Sequence, residues 1–175
     1  MLKNKKGFTL MEMLVVVLII GVLGAIAFPQ YSITIDRTRM TTNLSLLKPI
    51  ADAVVQYYSF NDAAPDKLTK LPVGIPKEWS VNDNLTATSP DGNCTLSVNP
   101  YGAIIISTSM ICKRGSKEEY KIQYQYSSPD DNGTLKMAGP FIEILATDTD
   151  RKKSLEKAIA SSGLVCDENH LCKQK

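Results

Sequence analysis

The sequence predicts an α+β protein in which one long N-terminal helix, transmembrane in its first part and amphipathic in its second, packs on an antiparallel β-sheet. Three observations lead there. Residues 8–28 form an apolar run with a single charge, Glu12. Apolar residues then recur at helical spacing to about residue 60, and β-branched and aromatic segments separated by turn signals follow from residue 94.

Ahead of the apolar run, residues 1–7 carry Lys3, Lys5 and Lys6. As a helix rising about 1.5 Å per residue, residues 8–28 span roughly 30 Å, the thickness of a bilayer's hydrocarbon core. The basic head keeps residues 1–7 in the cytoplasm, so the chain crosses the membrane once and everything after Pro29 faces outward. Two simpler readings compete. As a secretory signal peptide the stretch offers Ala25-Ile26-Ala27 for cleavage, but it exceeds the roughly 15 apolar residues of such segments and an acid interrupts it. As a plain anchor it is adequate, yet Glu12 has no purpose there, and a carboxylate at the bilayer centre costs about 2.5–3.5 kcal/mol. Gly21, Gly24 and Ala25 offer small surfaces for close helix approach. Pro29 removes a backbone donor, which predicts a kink.

Residues 29–60 read as the amphipathic continuation. Ile33, Met40, Leu44, Leu47, Ala51, Val54 and Tyr58 recur at steps of three, four or seven. Asp36, Arg37, Arg39, Asn43, Lys48 and Asp52 fall on other faces, the pattern of a helix laid against a sheet. Pro49 predicts a bend or local break, and the stretch from Asn61 to Pro65 ends the helix. Residues 61–175 form the head. Within it, residues 61–90 read as a packed loop holding short helical or strand pieces, with Leu68, Leu71, Ile75 and Trp79 as anchors. Residues 94–145 read as an antiparallel meander of 95–98, 103–111, 120–126 and either 135–137 or 141–145, turning at 99–102 and 128–133. Lys121, Gln123 and Gln125 alternate with Ile122, Tyr124 and Tyr126, so one sheet face is buried under the long helix. In the last part, 150–175, Asp150 caps a helix with Leu155, Ala158 and Ile159 on one side, and Gly163 stops it before the final cysteines.

Apolar residues make up 43% of the 175, which allows one membrane helix and one modest domain. A net charge of +2 without a basic stripe gives no support to nucleic-acid binding. Cys94, Cys112, Cys166 and Cys172 all follow the apolar run, and an even number in an exported domain reads as disulfides. Of three connectivities the most local joins Cys94 to Cys112 and Cys166 to Cys172. A hairpin turning at 99–102 would set Ser107 opposite Cys94, so the first pair needs a longer loop, a bulge or another register, and the connectivity stays open. His170 is the one histidine and has no recognisable catalytic surround. Cys166, Asp167, Glu168, His170 and Cys172 could form a metal cluster, but cysteines of an oxidising compartment pair more often than they hold zinc. Ser128, Asp130, Asn132 and Gly133 imitate the start of a calcium loop whose acidic last place is taken by Gly139. The expectation is therefore no enzyme, no metal and no cofactor. No phosphate-cradling motif is present, so any motor is a separate ATPase.

Lys5-Lys6-Gly7-Phe8-Thr9-Leu10-Met11-Glu12 resembles the prepilin motif of type IV pilins and of the related type II secretion pseudopilins, and Pro29 falls where that family has a proline. The match covers about the first 31 residues. The resemblance implies that residues 1–7 are a leader cut off by a prepilin peptidase between Gly7 and Phe8, and that Phe8 is then N-methylated. It implies that the apolar helix first anchors the subunit in the bilayer and later packs with copies of itself, on an inner-membrane assembly platform, through Phe8, Glu12, Gly21 and Pro29. In such a core Glu12 must find a cation, and the Phe8 amine of a neighbour is the candidate. The expected function is thus a subunit of a pilus-like filament on the cell surface or in the periplasm. The alternatives are a type II secretion pseudopilin and, from another class, an anchored outward-facing binding domain.

Overall fold

The computed structural model describes residues 8–101, 104–127 and 135–174. Helix α1, Leu10–Asn61, runs unbroken for 52 residues, about 78 Å at about 1.5 Å per residue. It is unbroken at both prolines, so the break considered at Pro49 does not occur. A helix-interior proline costs about 3 kcal/mol. Leu47, Ile50, Ala51, Ala53 and Val54 are all buried around it, and side chains of this kind contribute about 1.5–3 kcal/mol each when fully buried. Tertiary burial wins. Asp62 ends the helix in the left-handed region (φ 51°), where its N–H donates to the Tyr58 carbonyl at 2.8 Å.

The sheet is larger than the meander expected. Its strands are β1 (Ser80–Asp83), β2 (Thr86–Thr88), β3 (Cys94–Tyr101), β4 (Ile104–Arg114), β5 (Lys117–Tyr126), β6 (Met137–Ile144), β7 (Leu164–Cys166) and β8 (Leu171–Gln174). The order is β1-β2-β3-β4-β5-β6-β8-β7, and every neighbouring pair is antiparallel. The 61–90 stretch thus supplies the edge strand β1 and its neighbour β2 as well as a 3₁₀ turn at Leu68–Lys70. β1 is exposed at every position, so no alternation marks it in the sequence. Residues 99–101, read from the sequence as part of a turn, belong to β3. β3 continues through Pro100 to Tyr101, beyond the span that β2 pairs, where a proline's missing N–H breaks no ladder. Register follows from that extension together with an irregularity between Asn99 and Pro100: Cys94 faces Cys112, and Ser107 faces Asn99. β6 joins the two alternative fourth strands into one, with an irregularity opposite Gln123 and Gln125. There Gly139 sits at φ 126°, and a Cβ would lie 2.9 Å from the Gln123 carbonyl, so only glycine fits.

Helix α2, Thr149–Ala160, is capped two residues earlier than expected: the cap is Asp148, whose carboxylate accepts from the Arg151 N–H at 2.8 Å, while Asp150 sits in the first turn. α2 buries Leu155, Ala158 and Ile159. The core lies between α1 and the sheet, where Met40, Leu47, Ile50 and Val54 meet Leu96, Val98, Met110, Ile122 and Tyr124. Trp79 is partly buried at its margin.

Two polar residues of α1 face the head, contrary to the sequence reading. Asp36 lies four residues before Met40 and Asn43 four before Leu47, so the i, i+4 rule puts both on the buried stripe. Asp36 is 2% exposed and accepts from Arg151 of α2 through Nη1 and, at 2.9 Å, Nη2. The same guanidinium donates to Glu119 of β5 at 2.7 and 2.8 Å. Arg114 of β4 closes the group, 3.4 Å from Glu119 and 3.7 Å from Asp36. Burial opposes the Arg151 charge, but its bonds to Glu119 and Asp36 outweigh burial and push its pKa up. One side chain therefore ties α1, α2 and β5 together.

Arg151→Met would leave Asp36 and Glu119 buried with only the half-exposed Arg114 nearby. We expect a loss of about 3 kcal/mol in denaturant unfolding of the full chain with disulfides intact. A loss below about 1 kcal/mol would show that the cluster is not what holds α2 to the helix.

The buried tyrosines set an alkaline limit. Burial pushes the phenols of Tyr120 and Tyr124 up to about 12, from an ordinary 10.0, and raises Tyr126 as well. A raised acid pKa means the neutral form is favoured in the folded state, so the stabilisation is complete below pH 10 and is lost as pH rises toward 12. Paired phenolate absorbance and circular dichroism should show part of the seven tyrosines ionising only together with unfolding. Ionisation of all of them near pH 10 with the fold intact would contradict this.

Candidate functional site

Among the described residues, the exposed large apolar side chains concentrate on the first half of α1. Leucine, isoleucine, valine and methionine side chains between Leu10 and Phe28 are exposed on every side of the helix. A helix apolar all round needs an apolar surrounding, supplied by lipid or by other protein. Among the described residues this is the one helix long and apolar enough to cross a membrane. Gly21 and Gly24 interrupt the bulky side chains, and a Cβ at either would meet nothing within 4 Å, so the backbone there is open to a second helix. Pro29 lies within the unbroken helix.

At the amino-terminal end the site is built by a capping box that the sequence reading missed. Thr9 is the N-cap of α1. Its Oγ1 accepts from the Glu12 N–H at 3.2 Å, while the Glu12 carboxylate accepts from the Thr9 N–H at 2.8 Å and from the Thr9 hydroxyl at 2.9 Å. The signal was in the sequence: threonine followed three places later by glutamate, just before an apolar run. Glu12 therefore already has two donors inside its own chain and the positive end of the helix dipole beneath it. Phe8, beside it, is 73% exposed. Gly7, and with it the bond to Phe8, lies outside the described residues.

The four cysteines are distant from this end. Cys94 bonds Cys112 across β3 and β4, and Cys166 bonds Cys172 across β7 and β8. Asn43 donates from Nδ2 toward both sulfurs of the first pair, at 3.4 and 3.2 Å, and to the Tyr120 hydroxyl at 2.9 Å, which fastens α1 to the middle of the sheet. The metal set considered at residues 166–172 is not assembled: both cysteines are in the disulfide, and His170 Nδ1 pairs with Glu156 at 2.8 Å. No cluster of metal-ligating side chains occurs among the described residues. The calcium-loop residues 128–133 lie outside them.

Residues 2–28 match the family model described as the prokaryotic N-terminal methylation motif. The chain is 33% identical over 108 residues to type II secretion system core protein G of Pseudomonas aeruginosa, a match covering 57% of this chain and 70% of that protein. The chain belongs to the type IV pilin and pseudopilin family. A fimbrial protein of Pseudomonas aeruginosa is 40% identical over 78 residues, and type IV major pilin protein PilE1 of Neisseria gonorrhoeae 33% identical over 72. These two matches cover 42% and 41% of this chain, and 51% and 44% of the respective relatives, so the chain spans about half the length of each. The α+β architecture, one long N-terminal helix on an antiparallel sheet, is that expected of a pilin-like structural subunit.

Removing the cap isolates its contribution. Thr9→Ala deletes the acceptor for the Glu12 N–H and one donor to the Glu12 carboxylate, a loss of about 1 kcal/mol at the helix start. Amide hydrogen exchange of the full chain in micelles should become about fivefold faster at Glu12 and Met13, with residues beyond the first turn unaffected. Unchanged exchange would mean the capping box adds nothing.

Proposed function

We propose that this family member is a structural, non-catalytic subunit of a type IV pilus-like filament. In this reading a prepilin peptidase cuts between Gly7 and Phe8, and the new Phe8 amine is methylated. Residues 8–28 hold the subunit in the inner membrane with the head outside the cytoplasm. An assembly platform, driven by a separate ATPase, then moves the helix from lipid into a core made of copies of itself. The observation that carries the reading is the helix exposed and apolar on every side, with one carboxylate held at its start. Lipid and a bundle of like helices are the two surroundings that satisfy such a surface. Within the bundle the Glu12 carboxylate and a neighbour's Phe8 amine set the axial register, as a single buried polar residue does in a coiled coil.

A second reading, a pseudopilin of a type II secretion system, is favoured by the greater extent of the match to core protein G. The two readings share the helix and its chemistry and differ in where the polymer ends, at the cell surface or within the periplasm.

The test is Glu12→Ala in cells. In a plain anchor the change removes a costly carboxylate and leaves the protein no worse placed. In a filament it leaves the neighbouring amine without its partner, and breaking such a pair costs about 3–5 kcal/mol, roughly two to three powers of ten in assembly. We expect mass spectrometry to find the mature amino terminus at Phe8, bearing a methyl group, in parent and variant alike, with the variant retained in membranes and depleted from the sheared filament fraction. A mature terminus at Phe28 would return the secretory reading. Polymerisation equal to the parent's would remove the role given to Glu12, and loss from sheared filaments with none at the surface would select the periplasmic reading.

A further inference from the structure

We propose that the head carries a binding site for an acidic sugar, in the cavity between α1, the loop from β2 to β3 and the adjoining ends of β4 and β5. The cavity holds about 360 Å³, within the range of small-molecule sites and roomy for one sugar ring. Its charge is unbalanced. Arg39 and Lys113 line it, and neither forms an ion pair with any of the described residues.

The two carboxylates that also line the cavity are already engaged. Asp91 accepts from the Ser89 hydroxyl at 2.5 Å and from the Asn93 backbone and side-chain nitrogens at 3.1 and 2.8 Å. Glu119 is held by Arg151 and Arg114. The donors to Asp91 are neutral, so its charge still offsets one of the two cations, and the lining keeps one net positive charge, which favours a carboxylate or a similar anion.

The wall supplies what a bare anion would not use. Tyr120, 4% exposed, accepts from Asn43 at 2.9 Å and donates its own hydroxyl proton to none of the described residues. Burial keeps that phenol protonated, with its pKa pushed up to about 12, so it is a donor across the physiological range. Thr38 and Thr42 add hydroxyls along the α1 side, and the exposed Pro90 gives an apolar surface for the C–H face of a sugar.

The loop is preformed. Ser89 N–H donates to the Cys94 carbonyl at 2.8 Å, Gly92 N–H to the Ser89 carbonyl at 2.9 Å, and Lys113 N–H to the Asn93 carbonyl at 2.7 Å. Little ordering is left to oppose binding. An acidic side chain of another protein would use the cations but leave most of this volume unfilled, which favours a ring-sized ligand.

The experiment is a titration of the full chain in detergent micelles, followed by two-dimensional NMR, with glucuronic acid as the probe. Glucose serves as the uncharged counterpart and acetate as a carboxylate without a ring. We expect saturable shifts at Arg39, Asn43, Lys113 and Tyr120 at millimolar glucuronate, with glucose and acetate about tenfold weaker. Arg39→Gln and Lys113→Gln should each weaken binding about fivefold, and Lys48→Gln, whose ammonium pairs with Asp52 elsewhere on α1, should leave it unchanged. Absence of saturable shifts up to about 50 mM would overturn the proposal, as would glucose binding as tightly, acetate binding as tightly, or indifference to both cavity variants. The measurement uses dispersed subunits, so its outcome is independent of filament assembly.

Discussion

Half of α1 has nothing of its own chain to pack against, and the rest of the structure is arranged around that fact. Fifteen large apolar side chains between Phe8 and Phe28 stand exposed. At about 1.5–3 kcal/mol each, leaving them in water forgoes on the order of 20–45 kcal/mol. A domain's whole stability is about 5–15 kcal/mol, so no arrangement of the head could make this segment stable in water. The head is therefore built on the other half of the helix alone. The division is visible in α1 itself: Asp36 and Met40 are the first residues to be fully enclosed.

Joining a stiff rod to a compact head poses a geometric problem, and apolar packing alone solves it loosely. Met40, Leu47, Ile50 and Val54 lie along one stripe, and an apolar stripe tolerates sliding by a turn at modest cost. Polar contacts remove that freedom. Arg151 bridges Asp36 and Glu119, Asn43 reaches the Cys94–Cys112 sulfurs and Tyr120, and the Tyr126 hydroxyl meets the Ala51 carbonyl at 3.2 Å. Each ties α1 to the head at a different height along the helix. A displacement of one turn, about 5.4 Å, breaks all of them at once. Arg37, donating to the Ser161 carbonyl at the end of α2, adds a fourth tie. Their value lies in specifying one orientation of head on helix more than in net stabilisation, since a buried ion pair repays its desolvation only in part.

What the sequence made legible divides along the same line. The apolar run, the amphipathic stripe and the α+β class are periodic signals many residues long, and each recurs in the structure. The strands at 80–83 and 86–88 were not legible as strands because they are only four and three residues long and one is exposed throughout, too little for alternation to show. Residues 99–101 were assigned to a turn because proline and glycine at 100 and 102 read as one, whereas an edge position lets Pro100 stay in the strand. Asp36 and Asn43 were assigned outward because they are polar; their spacing to Met40 and Leu47 already placed them on the buried face. Thr9 was passed over because Glu12, the last residue of the motif from Lys5, drew the argument to a partner on another chain.

If the subunit assembles as proposed, the capping box changes the energetics of the pairing between Glu12 and a neighbour's Phe8 amine. A carboxylate entering lipid with no donors faces a penalty of several kcal/mol. Glu12 enters with the Thr9 amide and hydroxyl already bound, and hydrogen bonds to a charged group contribute about 1.5–3 kcal/mol each. Thr9 thus offsets much of the cost of holding the acid in the membrane before any neighbour arrives. The same bonds hold the carboxylate against the first turn of its own helix, adjacent to the place where Phe8 begins. The acceptor capacity left unused on Glu12 is then presented outward from a fixed position, and a cation from a second helix meets an acceptor whose orientation is already set. Local capping chemistry and intermolecular register are, on this argument, two uses of one side chain: Thr9 makes the acid tolerable in lipid, and the oxygen it leaves free gives the acid its direction.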